Sequence, residues 1–181
     1  MSLPAVQLVA TLADLTAETL AAAREEARRT ADLVEFRLDR LPDLPLVDLL
    51  GEARASAIVT CRPRREGGAF DGDEAVREAR LREALAIGVP YVDVEWDAAF
   101  GDALIAAFPG RVVLSRHDFA GMPADLPALV LSMAARRPAV VKLAVTPASL
   151  SDQLAFSAAR SAAGDVPVVL IAMGTTGLPS R

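Results

Sequence analysis

With 181 residues, 52% of them hydrophobic, the chain is long enough to bury a sizeable core, and it reads as one globular domain over residues 1–181. A net charge of −5 and an isoelectric point near 4.9 argue against nucleic acid or an anionic membrane as a partner, since both require a basic face. No apolar run approaches the roughly 18 residues of a membrane span, and no basic segment followed by an apolar stretch opens the sequence, so the expected location is the cytoplasm.

In chain order, residues 7–12 form the first β-rich run and residues 16–29 the first stretch of helical periodicity. Strands follow over 33–38 and 57–62, separated by the loop sequence Leu41-Pro42-Asp43-Leu44-Pro45. The next helix covers 73–86, where Val76, Ala79, Leu81 and Leu85 recur at helical spacing among Arg and Glu. Strands at 91–96, 111–115, 139–145 and 166–173, with a helix at 147–162, complete the series. Strand, helix, strand in alternation means a parallel sheet, with no internal repeat beyond that unit and no low-complexity linker.

A spacing of roughly 20 to 35 residues between strands suits either a (β/α)8 barrel or an open doubly wound sheet. Polar residues at alternate strand positions separate the two: Glu35 with Arg37, Thr60 with Arg62, Asp93 with Glu95, Ser115 with His117. Alternation places each pair on one face. In an open sheet those charges would be pressed against apolar helices at high cost, whereas a barrel gathers them at the C-terminal end of one interior. The expected fold is therefore α/β, of the (β/α)8 TIM-barrel type. Only seven strands are visible in this 181-residue chain, so the expectation includes a last strand and its helices that are lacking here.

Of the 19 basic side chains, 18 are arginine and one, Lys142, is lysine. A chain that uses arginine for every other positive charge places its lysine inside the apolar run Ala139-Val140-Val141-Lys142-Leu143-Ala144-Val145. Alternation puts Val140, Lys142 and Ala144 on the interior face and Val141, Leu143 and Val145 toward the helices. Desolvation and neighbouring positive charge favour the neutral amine that attacks a carbonyl, and arginines nearby would provide that setting. The plainer alternative is a lysine paired with an acid such as Glu95 or Glu35 and serving only structure.

The single histidine, His117, follows the fifth strand at the end where parallel α/β folds place their sites, about one strand from Lys142. Imidazole is the side chain whose ordinary pKa best suits proton transfer near neutrality. Glu66, in the loop after the third strand, is placed to orient that ring and hold its tautomer; a solvated loop glutamate is the alternative. Arg62 ends the third strand and offers a planar fork suited to a carboxylate or hydroxyl, while Arg64 and Arg65 are read as solvated. The lone Cys61 lies in an apolar run and is read as a small core residue.

Five segments together resemble the type I 3-dehydroquinate dehydratases along essentially the whole chain: Glu35-Phe36-Arg37-Leu38-Asp39; Thr60-Cys61-Arg62 with Glu66-Gly67-Gly68; Ser115-Arg116-His117-Asp118-Phe119; Val141-Lys142-Leu143-Ala144; and Ala172-Met173-Gly174 with Ser180-Arg181. The resemblance implies a hydro-lyase of the shikimate pathway that dehydrates 3-dehydroquinate through a lysine Schiff base, without metal or organic cofactor and as a homodimer. By the same likeness Lys142 is the covalent catalyst, His117 the acid–base and Glu66 its partner. Glu35 and Arg37 would contact ring hydroxyls, Arg62 would help hold the substrate, and Arg181 would pair with its carboxylate. Thr11 stands where the family typically has serine and keeps the hydroxyl. The serine and glutamine that the family brings from its last strand and loop have no counterpart in this sequence.

Two other readings compete. A class I aldolase or transaldolase also carries a strand lysine in a barrel, but gives no reason for the ordered Glu66-Gly67-Gly68 and Ser115-Arg116-His117-Asp118-Phe119 segments. A non-catalytic relative that binds dehydroquinate, or a shortened copy that no longer turns over, fits the C-terminus, whereas the presence of both Lys142 and His117 speaks against it.

Overall fold

The computed structural model describes residues 6–180. Among the described residues, seven strands follow one another along the chain, with helices between them. The chain divides into two compact units, Met1–Val92 and Asp93–Arg181.

In the first unit, β1 (Val9–Leu12) leads into α1 (Ala17–Thr30), β2 (Leu33–Arg37), α2 (Leu46–Leu50), β3 (Ala57–Thr60) and α3 (Glu74–Ala86). β1 pairs with β2 and β2 with β3, both in parallel. The starts of α1 and α3 have a local cause. Thr16 precedes α1 and its backbone N–H donates to Thr19 Oγ1 at 3.1 Å; Asp73 caps α3 by accepting from the Ala75 N–H at 2.8 Å. Capping residues keep extended backbone and stand one position outside the helix. The helices expected from residues 16 and 73 therefore begin at 17 and 74. The expected loop at residues 41–45 is irregular, and α2 follows it.

On β2, Val34 and Phe36 are fully buried and meet Ala57 and Val59 of β3 in register. Leu20 and Ala27 of α1, Leu46, Leu49 and Leu50 of α2, and Leu81, Ala84 and Leu85 of α3 supply the rest of this core. Phe36→Ala should lower stability by about 3–5 kcal/mol, because the aromatic contacts are lost and a closely packed interior refills the void only in part. Urea unfolding followed by circular dichroism measures it. A loss below about 1 kcal/mol would mean that this core closes over the gap.

The second unit begins within β4 (Tyr91–Glu95) and continues through α4 (Gly101–Ala107), β5 (Val112–Asp118), α5 (Leu126–Ala134), β6 (Val140–Val145), α6 (Ala155–Ala162) and β7 (Val168–Ala172). β5 pairs with β6 and β6 with β7 in parallel. Val141, Leu143 and Val145 are buried, as their alternation predicts, with Leu114, Leu126, Val130, Met133 and Ala159 in the same core.

Two expectations change here. β5 runs on to Asp118 instead of stopping at Ser115, because its pairing with β6 continues through His117 with Ala144 and Asp118 with Val145. The helix expected over 147–162 is split. Asp152 accepts from the Ala148 and Ser149 N–H groups at 2.8 and 2.9 Å, which holds the start of the segment in a turn. A 3₁₀ turn over Leu150–Leu154 then precedes α6. Among the described residues no helix is long and apolar enough to cross a membrane.

Candidate active site

In the first unit the alternation of β2 directs Glu35 and Arg37 to the face opposite Val34 and Phe36. Glu35 is buried and accepts hydrogen bonds from Thr60 Oγ1 at 2.7 Å and Thr11 Oγ1 at 2.9 Å. One carboxylate thereby ties the polar faces of β1, β2 and β3 together. Thr11, Glu35 and Thr60 are thus assembled in one cluster.

Immediately after β2 the 3₁₀ turn Leu38–Arg40 brings Asp39 back onto Arg37. The guanidinium donates through Nε to Oδ1 at 2.9 Å and through Nη2 to Oδ2 at 2.7 Å. Asp39 also accepts from the backbone N–H of Arg62 and of Ala69, each at 3.0 Å, and its side chain is fully buried. Burial alone would raise its pKa. The Arg37 hydrogen bonds, the two backbone donors and the arginine charge outweigh it and hold the carboxyl below its ordinary value. Burial opposes the charge on Arg37 too, and the Asp39 bonds with the Asp39 and Glu35 charges hold that guanidinium above its ordinary pKa.

Arg62 lies just past the end of β3, almost fully buried, with Nη1 at 3.7 Å from Oε2 of Glu66. Glu66 closes a 3₁₀ turn, Arg64–Glu66, and is itself buried, unlike the solvated glutamate that a loop position suggests. Two glycines make the turn feasible. Gly67 takes φ +77°, in the left-handed region open to glycine. A Cβ on Gly68 would collide with the carbonyl oxygen of Arg62. Cys61 is buried, and its carbonyl accepts from Nη1 of the fully buried Arg77 at 3.4 Å.

In the second unit Asp93 and Glu95 of β4 and Ser115 of β5 are fully buried. Lys142 Nζ donates to Asp93 Oδ2 at 3.0 Å, and Ser115 Oγ donates to Oδ1 of the same carboxylate at 2.5 Å. Ser115 stands opposite Lys142 in register and His117 opposite Ala144. Lys142 and His117 therefore share one face on adjacent strands, displaced along them by two residues. The lysine side chain is 18% exposed, while the carboxylate that pairs with it is wholly buried.

An acid does meet the amine, and Asp93 is one such partner, two residues before Glu95 on the same strand. To the positive charge expected around the amine the structure adds a carboxylate at 3.0 Å, which favours the ammonium form. Sequence reasoning misses Asp93, Ser115 and Asp39 as site residues. For Asp39 the signal was present in Arg37-Leu38-Asp39 at a strand end, where opposite charges two apart fold onto each other. For Asp93 the signal is tertiary, in its contacts with Ser115 and Lys142 on later strands. Arg181 lies outside the described residues. Among those described, no group of three or more His, Cys, Asp or Glu is placed to hold a metal ion.

The comparisons agree on one family. The model of the type I 3-dehydroquinases matches residues 8–181. A 3-dehydroquinate dehydratase of Methanothrix thermoacetophila is 31% identical over 173 residues, which are 95% of this chain and 76% of that protein. The bifunctional 3-dehydroquinate dehydratase/shikimate dehydrogenase of Arabidopsis thaliana is 37% identical over 161 residues. That alignment takes in 83% of this chain but only 26% of the plant protein. Among solved structures, the 3-dehydroquinate dehydratase of Enterococcus faecalis superposes with a TM-score of 0.82 at 28% identity, over 97% of this chain and 82% of the other. With that fold, and with its ordered site segments on successive strand ends, the chain belongs to the type I 3-dehydroquinase family.

Proposed function

We propose that this chain is a 3-dehydroquinate dehydratase, a hydro-lyase of the shikimate pathway that works in the cytoplasm as a homodimer and converts 3-dehydroquinate to 3-dehydroshikimate and water through an imine on Lys142. The observation that carries the proposal is the placement of the only lysine and the only histidine of the chain on one face of adjacent strands. The names of the relatives support the substrate.

Lys142 adds to the C3 ketone, and loss of water leaves a protonated imine. That cation withdraws electrons from the neighbouring carbon and makes the C2 proton acidic, so the electron sink is made from the chain's own amine and no organic cofactor is required. His117 removes the C2 proton and returns one to the departing C1 hydroxyl, with Glu66 orienting the ring. Glu35 and Arg37 engage ring hydroxyls. Arg62, and beyond the described residues Arg181, serve the substrate's carboxylate end, and Thr11 steadies Glu35.

The experiment is intact mass after incubation with 3-dehydroquinate and sodium borohydride. A reduced adduct on Lys142 supports the reading; folded protein without adduct removes it and favours a relative that only binds. The same assay separates the two catalysts. His117→Ala should lower kcat by about 10²- to 10⁴-fold, the range for a positioned acid–base group, while the borohydride adduct still forms. Turnover within a few-fold of the parent would remove His117 from the mechanism.

A further inference from the structure

The best-defined contact of the catalytic amine has no part in the chemistry so far. Asp93 is fully buried, its Oδ2 lies 3.0 Å from Lys142 Nζ, and its Oδ1 accepts from Ser115 Oγ at 2.5 Å. An ammonium held against a carboxylate has no lone pair to offer a ketone, so the resting pair masks the nucleophile. The structure also supplies the remedy, because the group that stabilises the ammonium is a base in direct contact with it.

We propose that Asp93 is a further catalytic residue, the acceptor and later donor of the proton that Lys142 must shed to form the imine. The inference rests on the Schiff-base reading above. In the first step the Lys142 ammonium passes a proton to Asp93 Oδ2, leaving a neutral amine and a neutral carboxylic acid. The nitrogen lone pair then forms the bond to the ketone carbon as the carbonyl π pair moves to oxygen, and a proton shift from nitrogen to oxygen gives the carbinolamine. In the last step Asp93 returns its proton to the carbinolamine hydroxyl, the carbon–oxygen bond breaks, and water leaves as the nitrogen lone pair closes the protonated imine. The sum is ammonium plus ketone to protonated imine plus water, and Asp93 ends as the carboxylate it began as. It then stands as counter-ion to the imine and keeps it protonated, the form that withdraws electrons.

Ser115 gives the carboxylate a fixed orientation. Its hydroxyl occupies Oδ1, which leaves Oδ2 directed at Nζ. Ser115 is itself held from both sides of the strand ladder: it faces Lys142 in register, and its carbonyl accepts from the Trp96 N–H at 2.7 Å.

The test compares the parent protein with Asp93→Asn, which keeps the size and hydrogen-bonding reach of the side chain and removes the base. Each is mixed with 3-dehydroquinate, quenched with sodium borohydride at successive times and weighed intact. Asp93→Asn should form the reduced adduct about 10²-fold more slowly than the parent, within the range for a positioned proton acceptor. The deuterium isotope effect on kcat with substrate labelled at C2 should fall toward unity, because imine formation replaces proton abstraction as the slow step. A merely structural aspartate would leave that isotope effect in place. Should Asp93→Asn not fold, Asp93→Ala with and without sodium formate replaces it, and the adduct rate should rise with formate concentration. Adduct formation at the parental rate in Asp93→Asn, or no response to formate in Asp93→Ala, overturns the proposal. A parent protein that gives no adduct overturns the Schiff-base reading itself, an outcome distinct from a parent that traps and a variant that traps equally fast.

Discussion

Replacing Lys142 by arginine is expected to abolish measurable dehydration of 3-dehydroquinate, lowering kcat by about 10⁴-fold or more, while the protein folds normally. Arginine is the informative replacement. It keeps a positive charge opposite the buried Asp93, so a loss of activity cannot be put down to a stranded carboxylate. What it removes is the capacity to become a neutral nucleophile, since a guanidinium stays protonated under all ordinary conditions. Losses of that size are normal when a covalent catalyst is deleted and its neighbours are left without the intermediate on which they act. The checks are steady-state turnover, the absence of a borohydride adduct by intact mass, and a parental circular dichroism spectrum. Turnover within tenfold of the parent would end the imine mechanism.

The second large effect is on stability and is expected at Asp39. Asp39→Ala should cost about 3–5 kcal/mol at pH 7, because it strands the guanidinium of Arg37 and two backbone N–H groups, those of Arg62 and Ala69, on what was a fully buried carboxylate. The pH dependence has a definite sign. The carboxyl titrates lower in the folded protein than its ordinary value, so the unfolded chain binds the proton first as acid is added. The stabilisation from Asp39 is therefore complete above the unfolded pKa of about 3.9 and is lost as the pH falls from there through the depressed folded value. In Asp39→Ala that part of the acid sensitivity disappears, and the two stability curves should converge toward low pH. Urea midpoints between pH 2.5 and 7 measure it; curves that stay parallel would mean the ion pair contributes nothing to acid stability. The same substitution frees Arg37 and the turn bearing Glu66, so a raised KM should accompany it.

Much of this was legible from alternation. Glu35 with Arg37, and Asp93 with Glu95, declare a strand with one polar face because side chains on a strand have period two, and all seven strands lie close to their expected positions. α5 leaves no periodic signal in the sequence. Leu126–Ala134 is apolar on nearly every side, and periodicity is invisible where no polar face interrupts it. α4, with seven residues, is too short for the same test. Composition puts His117 after its strand rather than in it, because the end of β5 is set by pairing with β6 and not by the composition of β5.

The candidate site divides along the same line. By itself the sequence determined that one amine and one imidazole are available and that they lie on strands with polar alternation, because residue counts and period-two spacing are properties of the chain alone. Which acid meets the amine, and which carboxylate gathers Arg37 with the backbone of Arg62 and Ala69, were decided only by the tertiary structure. Lys142 and Asp93 are 49 residues apart, and Asp39 and Ala69 are 30. Strand register and a turn geometry bring such groups within hydrogen-bonding distance, and neither is encoded in any local run of residues.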